Sequence, residues 1–320
     1  MKEKLEYISS KTGSGQITCY NAADNLDIMK FIADNNELIN KELLKSGGIL
    51  LRGFSIRSIS EFNKLSNIVS PNLLDYVNRS TPRTNIGGKI YTATEYPPEK
   101  SIPFHNENAY TLSWPNKILF FCAIAAKVGG ETPIADSREV FKKINQDIVN
   151  KFNEKKVLYV RNYTTGIDLS WQEVFQTEDK NEVEKYCREN SISFEWHHPN
   201  NSNVKLVTKQ ICQATLVHPV TGETVWFNQA HLFNAFALGE KERELLISAV
   251  GKDALPRNTY YGDGSEIEPE VFVQINEAYE QERIEFTWHK GDVMILDNIL
   301  MAHARNPFSG DRKIVVAMGM

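Results

Sequence analysis

His105-Asn106-Glu107, with His303 and Arg312 far downstream, are the residues of this chain whose types and spacing could do chemistry. Two imidazoles and one carboxylate form a facial ligand set for a redox-active iron, leaving the opposite face of the octahedron open for a chelating cosubstrate and dioxygen. Residues two apart on an extended strand point the same way. The spacing therefore predicts that His105 and Glu107 close on one ion from a single strand, with His303 arriving from a distant one. A zinc hydrolase could use the same donor types, but no His-Glu-x-x-His helix occurs in the chain. His197, His198, His218, His231 and His289 read as surface pairs or satisfied core groups.

The elements that must position these groups follow from apolar periodicity. Leu26, Met29, Ile32, Leu38, Ile39, Leu43 and Leu44 recur at helical spacing from about Asn25 to Lys45, predicting one or two helices that Gly47-Gly48 ends. Ile49-Leu50-Leu51 reads as a buried strand, and Ser60 as the cap of a helix burying Phe62, Leu65 and Ile68. Residues 83 to 126 alternate short β-like runs with turn signals, ending in the apolar stretch Ile118 to Cys122. Asp136 or Ser137 is placed to cap a further helix through Phe141 and Ile144.

A polar segment from about Gly166 to Asn203, helical and charged between Trp171 and Glu189, reads as an insertion that could cover a site. Strands are expected from Lys205, Thr224, Arg283 to Trp288, Asp292 and Lys313, with one helix around Lys241 to Val250. Strand-rich ends around a long insertion predict an α+β chain, a double-sheet jelly roll with flanking helices rather than an alternating parallel sheet. A single domain over residues 1–320 is the expected organisation, with a lid or insertion at about 166–203.

Bulk properties narrow the function classes. With 41% hydrophobic and 24% charged residues the composition is that of a globular chain. The formal net charge of -5, with both signs interleaved, offers no phosphate-tracking surface and so excludes nucleic acid as an expected partner. No apolar run has the length of a signal core or a membrane span. Cys19, Cys122, Cys187 and Cys212 lack metal-type spacing and read as buried or free thiols. A cytoplasmic protein is the expectation.

Several segments resemble the taurine dioxygenase (TauD/TfdA) superfamily: Gly47 to Phe54, Thr94 to Pro97, Phe104 to Tyr110, Gly129 to Asp136, Trp288 to Asp292 and His303 to Arg312. Within it the chain is most similar to the syringomycin-biosynthesis type of amino-acid hydroxylase. The resemblance implies an Fe(II)- and 2-oxoglutarate-dependent oxygenase with a double-stranded β-helix, cupin-like fold, using dioxygen as second cosubstrate. It places His105, Glu107 and His303 on the iron-ligand positions, Arg312 on the position that holds the distal carboxylate of 2-oxoglutarate, and Thr132 on the position that supports it. The physical logic agrees, because a guanidinium fork meets a carboxylate with two parallel hydrogen bonds. Many relatives carry aspartate where this chain has Glu107, and relatives that transfer halide have a small residue there, so Glu107 argues against a halogenase.

The expected reaction is hydroxylation of an amino acid or amino-acid-like metabolite in specialised metabolism, free or bound to a peptidyl carrier protein. Desaturation or cyclisation at the same iron, and a non-catalytic jelly-roll binding protein, are the alternatives. Arg305 lies two residues after His303 and could grip a substrate carboxylate from the metal-facing side. Asn108, Tyr110 and Asn228 are further candidates for the substrate mouth, as is Arg83, which no spacing argument supports. Arg52, Arg57 and Lys64 could form a basic patch for an acidic carrier.

Overall fold

Even- and odd-numbered residues of the central strands face opposite ways, as the two-residue period of a strand requires. Leu50, Ile118, Phe120, Met294, Leu296, Ile314 and Val316 join one buried cluster, whereas Ile49, Leu51, Leu119, Phe121, Val293, Ile295 and Val315 join another under the amino-terminal helices. These strands are covered on both faces, which is why their sequences run apolar without alternation. Each fully buried side chain of this size contributes about 1.5–3 kcal/mol.

The computed structural model describes residues 4–22, 26–75, 83–93, 96–163, 166–197 and 204–320. The chain opens with β1 (Lys4–Ser9), β2 (Gln16–Asn21), α1 (Ile28–Asp34), α2 (Asn36–Ser46), β3 (Gly48–Arg52) and α3 (Ile59–Val69). Strands β4 (Asn85–Gly87), β5 (Ile90–Thr92), β6 (Ile102–His105), β7 (Lys117–Ile124), β8 (Val128–Gly129) and β9 (Ile134–Asp136) lead into α4 (Ser137–Lys143) and α5 (Gln146–Lys155). Next come β10 (Val157–Tyr163), α6 (Trp171–Phe175), α7 (Lys180–Glu189), β11 (Ser193–His197), β12 (Lys205–Cys212), β13 (Thr215–Val217) and β14 (Thr224–Trp226). The remainder holds α8 (Ala230–Phe233), α9 (Glu240–Val250), β15 (Arg257–Tyr261), α10 (Pro269–Gln281), β16 (Val293–Asp297), β17 (Met301–Arg305), β18 (Phe308–Ser309) and β19 (Lys313–Gly319).

The fold mixes helix and sheet. An eight-stranded sheet runs β1-β2-β3-β16-β7-β19-β5-β4, and a three-stranded sheet runs β6-β17-β9. The turn from β16 to β17 carries the chain from one sheet to the other. Asp297 fixes that corner by accepting the backbone N–H groups of Ile299 and Leu300 through Oδ1. His218 accepts two backbone N–H groups at Nδ1, so its proton sits on Nε2 and is donated to Asp297 Oδ2 at 3.1 Å. His218 is thus the satisfied core histidine that the sequence suggested.

The segment from Gly166 is more than a solvated excursion. Ser170 and Glu173 form a reciprocal capping box at α6. Trp171, Val174, Phe175, Val183 and Cys187 pack with Tyr163 and Leu206 into a cluster of their own. Strand β11 extends the four-stranded sheet β11-β12-β10-β15, and Arg257 clamps Asp168 at the start of the segment. Residues 198–203, at its far end, lie outside the described residues, as does His198.

Three local expectations change. Ser58, not Ser60, caps α3 by accepting the N–H of Glu61. The buried face of that helix is Phe62, Leu65 and Ser66, leaving Ile68 exposed because it falls six residues, or 240°, from Phe62. Residues 283–288 bury Ile284, Phe286 and Trp288 alternately yet form no strand; the segment pairs only through a bridge between Ile284 and Ile134. The apolar alternation was real, but among the described residues its pairing with β9 stops at that one bridge. The predicted cap at Asp136 is present, and all four cysteines are buried free thiols.

Candidate metal centre and its anion anchor

His105 is the last residue of β6 and the direct antiparallel partner of His303 in β17. Cross-strand partners project to the same face, and the two ring centroids lie 4.3 Å apart. Phe120 meets the edge of His303 at 5.2 Å. Pro103 O can only accept, so the 2.9 Å contact with His105 Nδ1 places the proton there and leaves a lone pair on Nε2.

Glu107 does not share the strand with His105, as the spacing had suggested; it stands in the turn that follows. The turn is built by two buried asparagines. The Asn106 side chain turns inward and donates to Ser137 Oγ and Asn298 O, while its backbone carbonyl accepts from Gln229 Nε2. Asn298 brackets the next peptide, accepting from Glu107 N at 2.7 Å and donating to Glu107 O at 3.0 Å and Pro115 O at 2.9 Å. Asn108 closes the turn in the left-handed region, at φ 59°, which asparagine tolerates better than most residues.

This construction brings ligand atoms of His105, Glu107 and His303 to within 4.8 Å of one another, all buried. Glu107 Oε2 lies 3.9 Å from His303 Nε2 and accepts a 2.8 Å hydrogen bond from Arg83 Nη2. Burial lowers the pKa of His105, against the pull of Glu107; burial, then the nearby His105 and Arg83, lowers that of His303 well below the usual imidazole value. Both imidazoles are therefore neutral donors near pH 7. Two neutral nitrogens and one carboxylate oxygen are the donor set that suits ferrous iron with open positions.

Arg312 lines the same pocket as His105 and His303. Its Nε donates to Gly130 O at 2.8 Å and its Nη2 to Thr132 Oγ1 at 3.3 Å, with the guanidinium packed 5.4 Å from the Phe308 ring. Trp288 Nε1 also donates to Thr132 Oγ1, so the threonine keeps its own O–H to offer. Gly130 is required here: its φ is 76°, and a Cβ would stand 3.0 Å from Arg312 Cδ. No carboxylate of the described residues forms an ion pair with Arg312. Burial, with the neighbouring Arg305 charge, pulls it down to about 10. A half-enclosed cation with unspent donors is an anion site. The pocket, about 390 Å³ including its open mouth, runs from His105 and His303 to Thr132 and Arg312 between the apolar walls of Phe120, Ile314 and Val316.

The substrate candidates fare differently. Arg305 lines this pocket, but its guanidinium donates to the carbonyls of Tyr96, Pro97 and Lys100 and so ties that loop to β17. Asn108 lies beside Glu107 with a buried Oδ1 that has no partner among the described residues. Tyr110 does not line a mouth; it is 4% exposed and packs against Tyr159 and Phe233 in the core. Asn228 is fully buried and structural, donating to Ala214 O and accepting the N–H of Ala230 at the start of α8. Arg52 is committed to Asp292 and Thr287 O, whereas Arg57 and Lys64 are exposed. Sequence reasoning missed Asn106 and Asn298 altogether. Arg83 had been named without a reason, and Trp288 only as part of a resemblance.

Two imidazoles and a guanidinium lining one pocket, with a carboxylate in ligand reach of the imidazoles, define the site of an iron oxygenase that draws on a 2-oxo acid. The chain belongs to the taurine catabolism dioxygenase TauD, TfdA family, whose sequence profile matches residues 13–318. It is an Fe(II)- and 2-oxoglutarate-dependent dioxygenase. It is 45% identical over 280 residues to the dapdiamide synthesis protein DdaC of Enterobacter agglomerans, covering 88% of this chain and 84% of that one. A clavaminate synthase-like protein of Arabidopsis thaliana is 30% identical over 296 residues, covering 90% and 86%. Among solved structures, PvcB, an Fe, alpha-ketoglutarate dependent oxygenase from an isonitrile synthetic pathway, superposes with a TM-score of 0.57 at 11% identity, covering 99% of this chain and 90% of PvcB. AAD-2, solved with Mn(II) and N-oxalylglycine, gives 0.54 at 11% identity, covering 100% and 97%. These two likenesses concern the fold alone.

Proposed function

We propose that the protein hydroxylates an amino acid or amino-acid-like metabolite, free or tethered to a carrier protein, in specialised metabolism. His105, Glu107 and His303 hold the iron, and Arg312 with Thr132 holds the distal carboxylate of 2-oxoglutarate. The observation that carries this reading is that the two imidazoles of the triad line one pocket with the Arg312 guanidinium, which has no carboxylate partner among the described residues. The name of the 45% identical relative, a dapdiamide synthesis protein, supports a biosynthetic setting.

Bound iron and 2-oxoglutarate supply the oxidising power: dioxygen is consumed, succinate and carbon dioxide are released, and one oxygen atom goes to a substrate C–H bond. The chain's own part is to position and to exclude water. His105 and His303 offer neutral nitrogens because burial disfavours their charged forms. Arg312 and Thr132 orient the keto acid by its far end, and Phe120, Ile314 and Val316 keep its methylenes dry. In this reading the eight- and three-stranded sheets are the two halves of a double-stranded β-helix, forming one domain over residues 1–320 with residues 166–203 as its lid. A cytoplasmic setting accords with the four unpaired thiols. Arg57 and Lys64 are the exposed cations that an acidic carrier could meet.

The test is a screen of free amino acids, other small acids, sulfonates and carrier-loaded aminoacyl groups for substrate-dependent succinate release together with a product heavier by one oxygen atom. An amino-acid-like hit supports the proposal. Turnover confined to sulfonates or non-amino acids would overturn the substrate class, and a product lighter by two hydrogens would replace hydroxylation with desaturation or ring closure.

A further inference from the structure

We infer that Arg83 is the positioning residue of the metal centre, holding Glu107 so that it offers the metal one fixed carboxylate oxygen. The inference rests on the reading above, in which the triad binds the metal. Oxygen Oε2 of Glu107 is both the atom 3.9 Å from His303 Nε2 and the acceptor of the 2.8 Å bond from Arg83 Nη2. The two side chains are only 4% and 3% exposed, where a charge-assisted hydrogen bond is strong and an uncompensated carboxylate is costly.

The backbone around Glu107 leaves it something to be held against. Asn298 fixes both the N–H and the C=O of Glu107, so the only remaining freedom is in the side chain's torsions. A glutamate has one more of these than an aspartate, and each staggered well moves the carboxylate by ångströms. Arg83 selects one well. The same contact gives a reason for glutamate at this position, because an aspartate from the same bracketed backbone stops one methylene short of the guanidinium.

Two effects of removing Arg83 oppose each other. Its positive charge repels a cation in the site, so loss of that charge favours metal binding. Loss of the hydrogen bond frees the carboxylate to rotate, which disfavours it. Partners of metal ligands are typically worth 10–100-fold in affinity, so positioning is expected to win.

The experiment titrates metal-free protein with Mn(II), reading free Mn(II) by electron paramagnetic resonance, and records the visible spectrum of the Co(II)-loaded protein. Wild type, Arg83→Lys, Arg83→Met, Glu107→Asp and the Arg83→Met/Glu107→Asp double variant are compared after circular dichroism confirms folding. Arg83→Met is expected to weaken Mn(II) about tenfold or more and to shift the Co(II) bands, with Arg83→Lys recovering most of the loss. The double variant is expected to bind no worse than Glu107→Asp alone, since that change already breaks the contact. Should Arg83→Met fail to fold, Arg83→Gln, which keeps length and one N–H, takes its place. Wild-type binding with unchanged or tighter binding in the Arg83 variant overturns the inference and leaves the triad standing. No wild-type binding overturns the triad, and the inference with it.

Discussion

His105 and His303 are direct register partners across β6 and β17, separated by nearly two hundred residues of chain yet fixed face to face by the ladder of one small sheet. The proposed metal site therefore inherits the rigidity of strand pairing at two of its three corners. The third corner, Glu107, depends instead on side-chain hydrogen bonds, from Asn298 to its backbone and from Arg83 to its carboxylate.

Asn298 should consequently matter to both stability and metal binding. Asn298→Ala leaves the N–H and C=O of Glu107 and the C=O of Pro115 without these partners inside the protein. Each buried polar group left unpaired costs about 1–3 kcal/mol. A loss of at least about 2 kcal/mol in urea unfolding is expected, with Mn(II) binding weakened; a change below about 0.5 kcal/mol would contradict the bracket.

Removal of the anion anchor should act on the cosubstrate. Hydrogen bonds to a charged group are worth about 1.5–3 kcal/mol, so Arg312→Met is expected to raise the KM for 2-oxoglutarate about thirtyfold or more. Thr132→Val takes away one neutral donor and should raise it several-fold with a smaller change in kcat. Steady-state kinetics with 2-oxoglutarate varied would check both, and equal effects of the two changes would count against the assigned roles.

Arg305 ties the loop from Tyr96 to Lys100 to β17 through three carbonyls. Arg305→Met is expected to speed proteolytic cleavage between Tyr96 and Lys100 in the resting enzyme. Unchanged cleavage with a selective rise in the KM of the prime substrate would return Arg305 to the role of substrate clamp.

The pH dependence of stability has a definite sign. His231 donates through Nε2 to Phe104 O, and burial pushes its pKa from 6.5 down to about 4. Between those values the unfolded chain takes up a proton that the native protein refuses. The stability is thus fully present above about pH 6.5 and is lost as pH falls toward 4. At about 1.4 kcal/mol per pKa unit the loss reaches about 3 kcal/mol. Metal-free His105 and His303 shift in the same direction. Melting temperatures of metal-free protein between pH 7 and 4.5 should fall more steeply for wild type than for His231→Gln; parallel curves would contradict the assignment.

That His105, Glu107 and His303 would come together was legible from residue type, spacing and the family resemblance taken together, and the double-sided apolar runs of β7 and β16 marked the central strands. The geometry of Glu107 was not. A period of two between His105 and Glu107 fits a strand and a tight turn equally well, and only the inward-facing Asn106 decides between them. Arg83 could not be derived because its contact crosses 24 positions outside any ladder. Tyr110 and Asn228 misled for the opposite reason: polar groups offered as lining the mouth were spent on the core, Asn228 bonding Ala214 and Ala230, and Tyr110 packed against Phe233.

The most direct test is anaerobic addition of Fe(II) and then 2-oxoglutarate while visible absorption is recorded. The wild type is expected to develop a charge-transfer band that saturates with one iron per chain, and His303→Ala to show none at the same concentrations. A featureless wild-type spectrum, or an undiminished band in His303→Ala, would contradict the account.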